Sequence, residues 1–223
     1  MKISKRQKRI IVKSFFNSIF IACLVYVIFS FGPFIKYEVY YRLFLLEGKK
    51  YAINLQNGEV HTSWLSNIFS SDRTIYIKPV NENFDIIIPQ IGLNEKIISI
   101  NANDPNQVVD ALRVGVGRAE GTAYPNQYGN MYLFAHSSTS VLSIDRYNSV
   151  FTLLRDLNIG DKVYIFYQGK QYTYQIYKRE IVSQNDTKDM TFKSPFPQIT
   201  LQTCDPPGFD INRLLLFARN IKS

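Results

Sequence analysis

The hydrophobic and polar positions fall into two regimes along the chain. From Ser14 to Ile35, 22 residues run without a charge and are dominated by Phe, Ile, Val, Leu and Tyr. At a helical rise of about 1.5 Å per residue this run spans roughly 33 Å, which matches a hydrocarbon core of about 30 Å. Residues 37–47 continue with a helical apolar pattern and an aromatic lip, and Gly48 is a plausible stop. Residues 49–73 are polar and irregular and read as a stalk, with His61 and Trp64 as surface or packing residues.

From Thr74 onward the runs become short, β-branched and punctuated by Pro and Gly, as in a β-barrel or sandwich. Strands are expected at Thr74–Ile77, Phe84–Ile88 and around Ile91–Ile98. Asp104 and Pro105 then form the N-cap and first position of a short helix through Leu112, ended by Gly115. Gly115 to Pro125 reads as a glycine-rich loop, but it lacks the strand-loop-helix setting and the Gly-Lys-Thr/Ser ending of a phosphate cradle. Gly129-Asn130 reads as a turn. Met131–Ala135 is a buried-strand pattern that ends at His136 and a small polar run, Ser137–Ser140. A turn or two of helix at 151–157 precedes a hairpin, Lys162–Tyr167 and Gln171–Tyr177, joined at Gln168–Lys170. A long polar loop, 183–198, leads to the strand Ile199–Cys204. The Asp205-Pro206-Pro207-Gly208 turn and a second strand opening at Arg213 close the pattern.

The net charge of +8 suggests nucleic acid until it is located. Residues 1–36 hold seven basic residues and no acid, and the remainder holds 19 basic and 18 acidic residues. The excess belongs to an N-terminal arm rather than to a folded face, which argues against a nucleic-acid-binding domain. Six basic residues before the apolar run predict a cytoplasmic N-terminus with everything after Lys36 outside. A cleaved signal peptide is the competing reading. The run is longer than the usual 7 to 15 residues of a signal peptide's apolar region, and Pro33 follows the one small-x-small site, so an uncleaved anchor is expected. The organisation expected is a basic arm at 1–13, a transmembrane anchor at 14–35, a juxtamembrane helix and stalk at 36–73, and a catalytic domain at 74–223. No second run of spanning length follows.

This topology changes the meaning of the two cysteines. Cys23 lies in the expected membrane span and Cys204 in the outer domain, so they are not expected to pair. A single outer thiol signals either intermolecular pairing or a reactive group. Buried cysteines also commonly pack as small hydrophobes. His136, Cys204 and Arg213 are the polar groups at strand ends in the expected core. An imidazole can hold the thiol's proton and later give it to a leaving amine. A guanidinium can stabilise the oxyanion formed when a thiolate attacks an amide carbonyl. Together they describe acyl transfer through a thioacyl intermediate.

Thr200-Leu201-Gln202-Thr203-Cys204 closely resembles the T-L-x-T-C signature of sortases, and Arg213 stands nine residues on, as the family arginine does. Gly121–Pro125, Gly129-Asn130, an apolar strand and His136 resemble the family segment that ends in its histidine, and Asn158–Asp161 resembles an L-x-x-G-D turn. The resemblance covers residues 75–220. It implies an eight-stranded β-barrel with Cys204 as nucleophile, His136 as general acid/base and Arg213 stabilising substrate and oxyanion. It further implies cleavage of a Leu-Pro-x-Thr-Gly-like sorting signal on secreted proteins and transfer to a cell-wall or pilin amine. Ala135 and Ser137 replace the Gly and the Arg or Asn that flank the histidine in many relatives. The Asp-Pro-Pro-Gly turn is nearer to classes D to F than to class A. No cofactor is implied; nothing in the spacing of the loop residues Glu120, Asp186 and Asp189 shows a calcium site, and calcium dependence is left open. The alternatives are a purely hydrolytic cysteine peptidase and a non-catalytic surface adhesion or assembly module. An L,D-transpeptidase would need a Ser-His-Gly-Cys-like run, which the sequence lacks.

Overall fold

A computed structural model describes residues 5–53, 74–125, 127–137, 150–207 and 211–222. His61, Trp64, Ser138–Ser140 and Gly208 lie outside the described residues. One helix, α1 (Lys5–Leu46), takes up the whole N-terminal region. Its segment Arg6–Ile28 is long and apolar enough to cross a membrane, with mean hydropathy 2.0, and overlaps the expected span over 14–28. The apolar run and the helical pattern at 37–47 are parts of this one continuous helix. Pro33 removes one backbone hydrogen bond from the helix but does not end it. Gly48 follows in the left-handed region, with φ 66°.

The polar stretch after α1 opens with a strand, β1 (Lys50–Ile53), paired in parallel with β2 (Thr74–Ile77) in a separate two-stranded sheet. The other eight strands close into a barrel: β3 (Phe84–Ile88), β4 (Leu93–Ile100), β5 (Val116–Ala119), β6 (Gly129–Phe134), β7 (Lys162–Tyr167), β8 (Lys170–Ser183), β9 (Pro197–Asp205) and β10 (Asn212–Lys222). Their order around the barrel is β10-β8-β7-β3-β4-β5-β6-β9. The period-two alternation delivers the core. Ile86, Ile88, Met131, Leu133, Ile165, Ile199, Leu201, Leu214 and Leu216 all turn inward and are fully buried. Gln168 and Gly169, both with positive φ, make the two-residue turn that joins β7 to β8.

Two expectations change. Gly115 to Arg118 is not a loop, because Val116–Ala119 forms β5, buried throughout and parallel to β4. The crossover between them is α2 (Pro105–Leu112), whose Asp104 cap accepts from the amides of Asn106 and Gln107, as expected. The glycines serve packing here. A Cβ on Gly115 would stand 2.4 Å from the Lys96 carbonyl oxygen, and one on Gly117 would meet Ile100 and Phe134 at 3.0–3.1 Å. The Gly129-Asn130 pair likewise opens β6 instead of forming an isolated turn; Gly129 has φ 122°. The long loop before β9 holds one further short helix, α3 (Lys188–Thr191).

Candidate active site

β9 is the central strand of the site, with β6 on one side and β10 on the other. Its odd-numbered residues Ile199 and Leu201 face the core. Its even-numbered residues Gln198, Thr200, Gln202 and Cys204 face away from it. In the antiparallel register Cys204 is the direct partner of Arg213, so the two side chains leave neighbouring strands on the same face. On the other side the ladder is parallel. The Ala135 amide donates to the Gln202 carbonyl at 3.3 Å, which marks Thr203 as the partner of Ala135. The Thr203 hydroxyl donates to the Ala135 carbonyl at 3.1 Å. Carried one residue further, past the end of β6 at Phe134, the same register sets His136 level with Cys204. The three sequence-derived residues thus come from neighbouring segments, the residues that follow β6, then β9 and β10, and each is partly exposed.

Burial alone lowers the His136 pKa below the ordinary imidazole value, so the ring is neutral at neutral pH. Arg213 extends a positive field toward Tyr132, which opposes the burial that raises the Tyr132 phenol.

The sequence reading missed the polar track that leads to this row. The Tyr132 hydroxyl donates to Gln202 Oε1, one same-face step from Cys204. Further along, Thr200 Oγ1 donates to Asn130 Oδ1 at 2.8 Å, Gln198 Nε2 donates to the same oxygen at 3.2 Å, and Tyr177 donates to Gln198 Oε1 at 2.6 Å. Asn130 Nδ2 in turn holds the Asp189 carbonyl at 2.9 Å, which ties the 183–196 segment over the track. Beyond Asn130 the track opens into a cavity of about 840 Å³, lined by residues that include Glu120, Thr122, Tyr128, Met190, Phe192 and Ser194. The signal was present as the alternation Gln198-x-Thr200-x-Gln202-x-Cys204, polar on one face of an otherwise apolar strand. Among the described residues no group of three or more His, Cys, Asp or Glu side chains is arranged to hold a metal ion. Asp186 is engaged with Lys188 at 2.9 Å.

The sortase domain family matches residues 86–221, more than half of the chain. The chain belongs to the sortase family. It is 30% identical over 132 residues to sortase D of Bacillus subtilis (strain 168), a match covering 56% of this chain and 62% of that protein. Among solved structures it resembles sortase C1 of GBS (Streptococcus agalactiae) pilus island 1, with TM-score 0.54, 26% identity, and 63% of this chain and 64% of that one covered. It also resembles Clostridium perfringens sortase C solved with the C-terminal cell wall sorting motif, with TM-score 0.52, 25% identity, and 62% and 70% covered. The chain thus spans less than two thirds of the first two relatives' length. The closed eight-stranded barrel is the fold the sortase resemblance implies.

Proposed function

We propose that this sortase is a membrane-anchored cysteine transpeptidase that cuts a Leu-Pro-x-Thr-Gly-like sorting signal and passes the acyl group to a cell-surface amine. The observation that carries the reading is the pairing of Cys204 with Arg213 across β9 and β10, with His136 just past the end of the neighbouring β6. In the first half-reaction Cys204 Sγ attacks the scissile carbonyl carbon, and its proton passes to His136. Arg213 stabilises the oxyanion. The C–N bond then breaks, His136 protonates the departing amine, and a thioacyl enzyme remains. In the second half-reaction an acceptor amine attacks the thioacyl carbon, His136 takes its proton, and the Cys204 thiol is released as the new amide forms.

An extended peptide substrate would lie along the strands that carry this row, over the buried polar track beneath. From Asn130 to His136 the strand rises about 20 Å, which accommodates an extended five-residue signal of roughly 17 Å. The sorting motif bound by the C. perfringens relative agrees with this class of substrate. The basic arm and apolar helix favour single-pass anchoring with the barrel outside the cell and secreted proteins as substrates. The acceptor in this reading is a cell-wall or pilin amine.

Mass spectrometry of the purified chain with a sorting-signal peptide and a short amine tests this. A thioacyl adduct on Cys204 and an amine-joined product are expected, and Cys204→Ala should give neither. Cleavage that persists in Cys204→Ala removes the assignment, and hydrolysed product alone in the presence of amine reduces the enzyme to a peptidase.

A further inference from the structure

The 3-10 helix Thr152–Asp156 is bonded both to the histidine and to the neighbour of the thiol in the proposed catalytic row. At its start the Phe151 amide donates to the His136 carbonyl at 2.9 Å, and the buried Thr152 hydroxyl donates to the Ser137 carbonyl. Phe151 and Leu154 are fully buried and root the helix in the barrel core. At its other end Arg155 Nη2 contacts Asp205 Oδ1 at 2.5 Å, and Asp205 directly follows Cys204. Arg179 on β8 donates to the Arg155 carbonyl at 2.8 Å and fixes that end of the helix. One rigid turn of chain is thus bonded to the backbone of the histidine and to the neighbour of the thiol, which arrive on different strands.

We infer that Arg155, through Asp205, is a positioning residue that sets the spacing of His136 and Cys204. The inference rests on the transpeptidase reading for its chemistry, since it assigns a role in holding the acid/base against the nucleophile. The backbone bonds from Phe151 and Thr152 fix the histidine end whatever the side chain at 155. The Arg155–Asp205 pair is the side-chain link to the thiol end. The pair is half-buried, with side chains 32% and 15% exposed. Its contact is a single nitrogen to a single oxygen, so a lysine ammonium can replace it, as it could not replace a two-pronged guanidinium contact. Loss of the pair removes the side-chain tie at the strand end that bears Cys204, leaving it held by its ladder with β10, without emptying any part of the core. A misplacement of about 1 Å between reacting groups is enough to cost on the order of 100-fold in rate.

The test uses the full chain in detergent with a Leu-Pro-Glu-Thr-Gly peptide, triglycine as the amine, and iodoacetamide as a substrate-independent probe of Cys204. Cys23→Ala removes the other thiol. Arg155→Gln is expected to lower kcat about 10- to 100-fold, with KM within about twofold and Tm nearly unchanged. Arg155→Lys should recover most of the rate. Asp205→Asn should match Arg155→Gln, and the double variant should be no slower than either, because both remove one interaction. A wild-type kcat in Arg155→Gln overturns the inference. So does a fall in kcat that tracks a fall in Tm and is not rescued by lysine, since that marks a merely structural residue. If the wild-type chain does not turn over the peptide but iodoacetamide modifies Cys204 faster in wild type than in Arg155→Gln, the transpeptidase substrate is wrong and the positioning role stands. Equal alkylation rates in that case overturn the positioning role.

Discussion

His136 shows how a single residue's surroundings set its working state. Among the described residues burial is the one cause acting on its pKa, and it pushes the value down. The ring is therefore neutral over a wider pH range than a free imidazole of pKa about 6.5. A neutral ring can accept the thiol's proton, whereas an imidazolium could not. The sign for stability follows from proton counts. The unfolded chain takes up a proton near pH 6.5, while the folded chain resists until a lower pH. The contribution of His136 is thus full above pH 6.5, declines as pH falls from there toward the folded value, and is constant below it. We expect the His136 ring resonance in an NMR titration to move with a midpoint below 6.5. Unfolding by urea at pH 7 and pH 5 should show a loss in wild type that is smaller in His136→Asn. A midpoint at or above 6.5 would mean that a negative charge faces the ring. The three residues of the row were legible in the sequence because each ends or begins an apolar run. Their partners were not. Tyr132 reads as one more core aromatic, and only the register that brings it to Gln202 reveals a polar tip in the groove.

At the scale of elements, β5 is the instructive case. Its Val-Gly-Arg-Ala sequence has no alternation to mark a strand, and two glycines within three residues resemble a loop. What makes it a strand is parallel pairing with β4, and long-range pairing leaves no local trace. The glycines are the imprint of that approach. Gly115 faces backbone, the Lys96 carbonyl, which cannot step aside as a flexible side chain could. Gly115→Ala should therefore force β4 and β5 apart and destabilise the barrel by about 1–3 kcal/mol, in the range of overpacking. Thermal unfolding of the variant should show a Tm lower by several degrees. Gly121→Ala serves as the control for lost backbone freedom alone, because a Cβ there meets no atom within 4 Å although φ is +79°. Gly115 itself has no positive φ, so a loss there larger than general Gly→Ala effects reports the close contact, while the Gly121 loss reports its left-handed backbone. The alternating hairpin of β7 and the first half of β8 was readable in advance, and β9 and β10 were read from their β-branched and apolar runs. The bonded links between elements, such as the Asn130 side chain that fastens the 183–196 segment, depend on the folded register and were not.

At the scale of the whole molecule, α1 joins the apolar segment directly to the barrel. Near its end Arg42 pairs with Glu38 at 2.7 Å and reaches Asp156 at 3.2 Å, while the Phe44 ring stacks on Tyr51 at 4.3 Å. Tyr41 packs against the barrel core. The Arg42 contacts are exposed and contribute little to stability, so the ring contacts and the continuity of the helix carry the joint. Sequence alone showed an apolar span, a helical pattern at 37–47 and a polar stalk, and no local pattern shows that the helix end has a surface to dock on. Orientation rests on the basic arm. Six Lys/Arg residues precede the apolar run, and positive flanks are retained on the cytoplasmic side. This predicts an asymmetric labelling pattern in intact cells, in chains carrying Cys23→Ala and Cys204→Ala so that each holds one thiol. A membrane-impermeant maleimide should label Gln184→Cys, on the exposed segment before β9, without permeabilisation. Ser4→Cys should label only after the membrane is opened. The reverse pattern would place the barrel in the cytoplasm, out of reach of a cell-wall amine, and the proposed transfer reaction would lose its acceptor. Labelling of both without permeabilisation would mean that the apolar segment does not cross the bilayer. The barrel's place relative to its substrates therefore hangs on a charge asymmetry in the first 13 residues, far along the chain from the barrel strands.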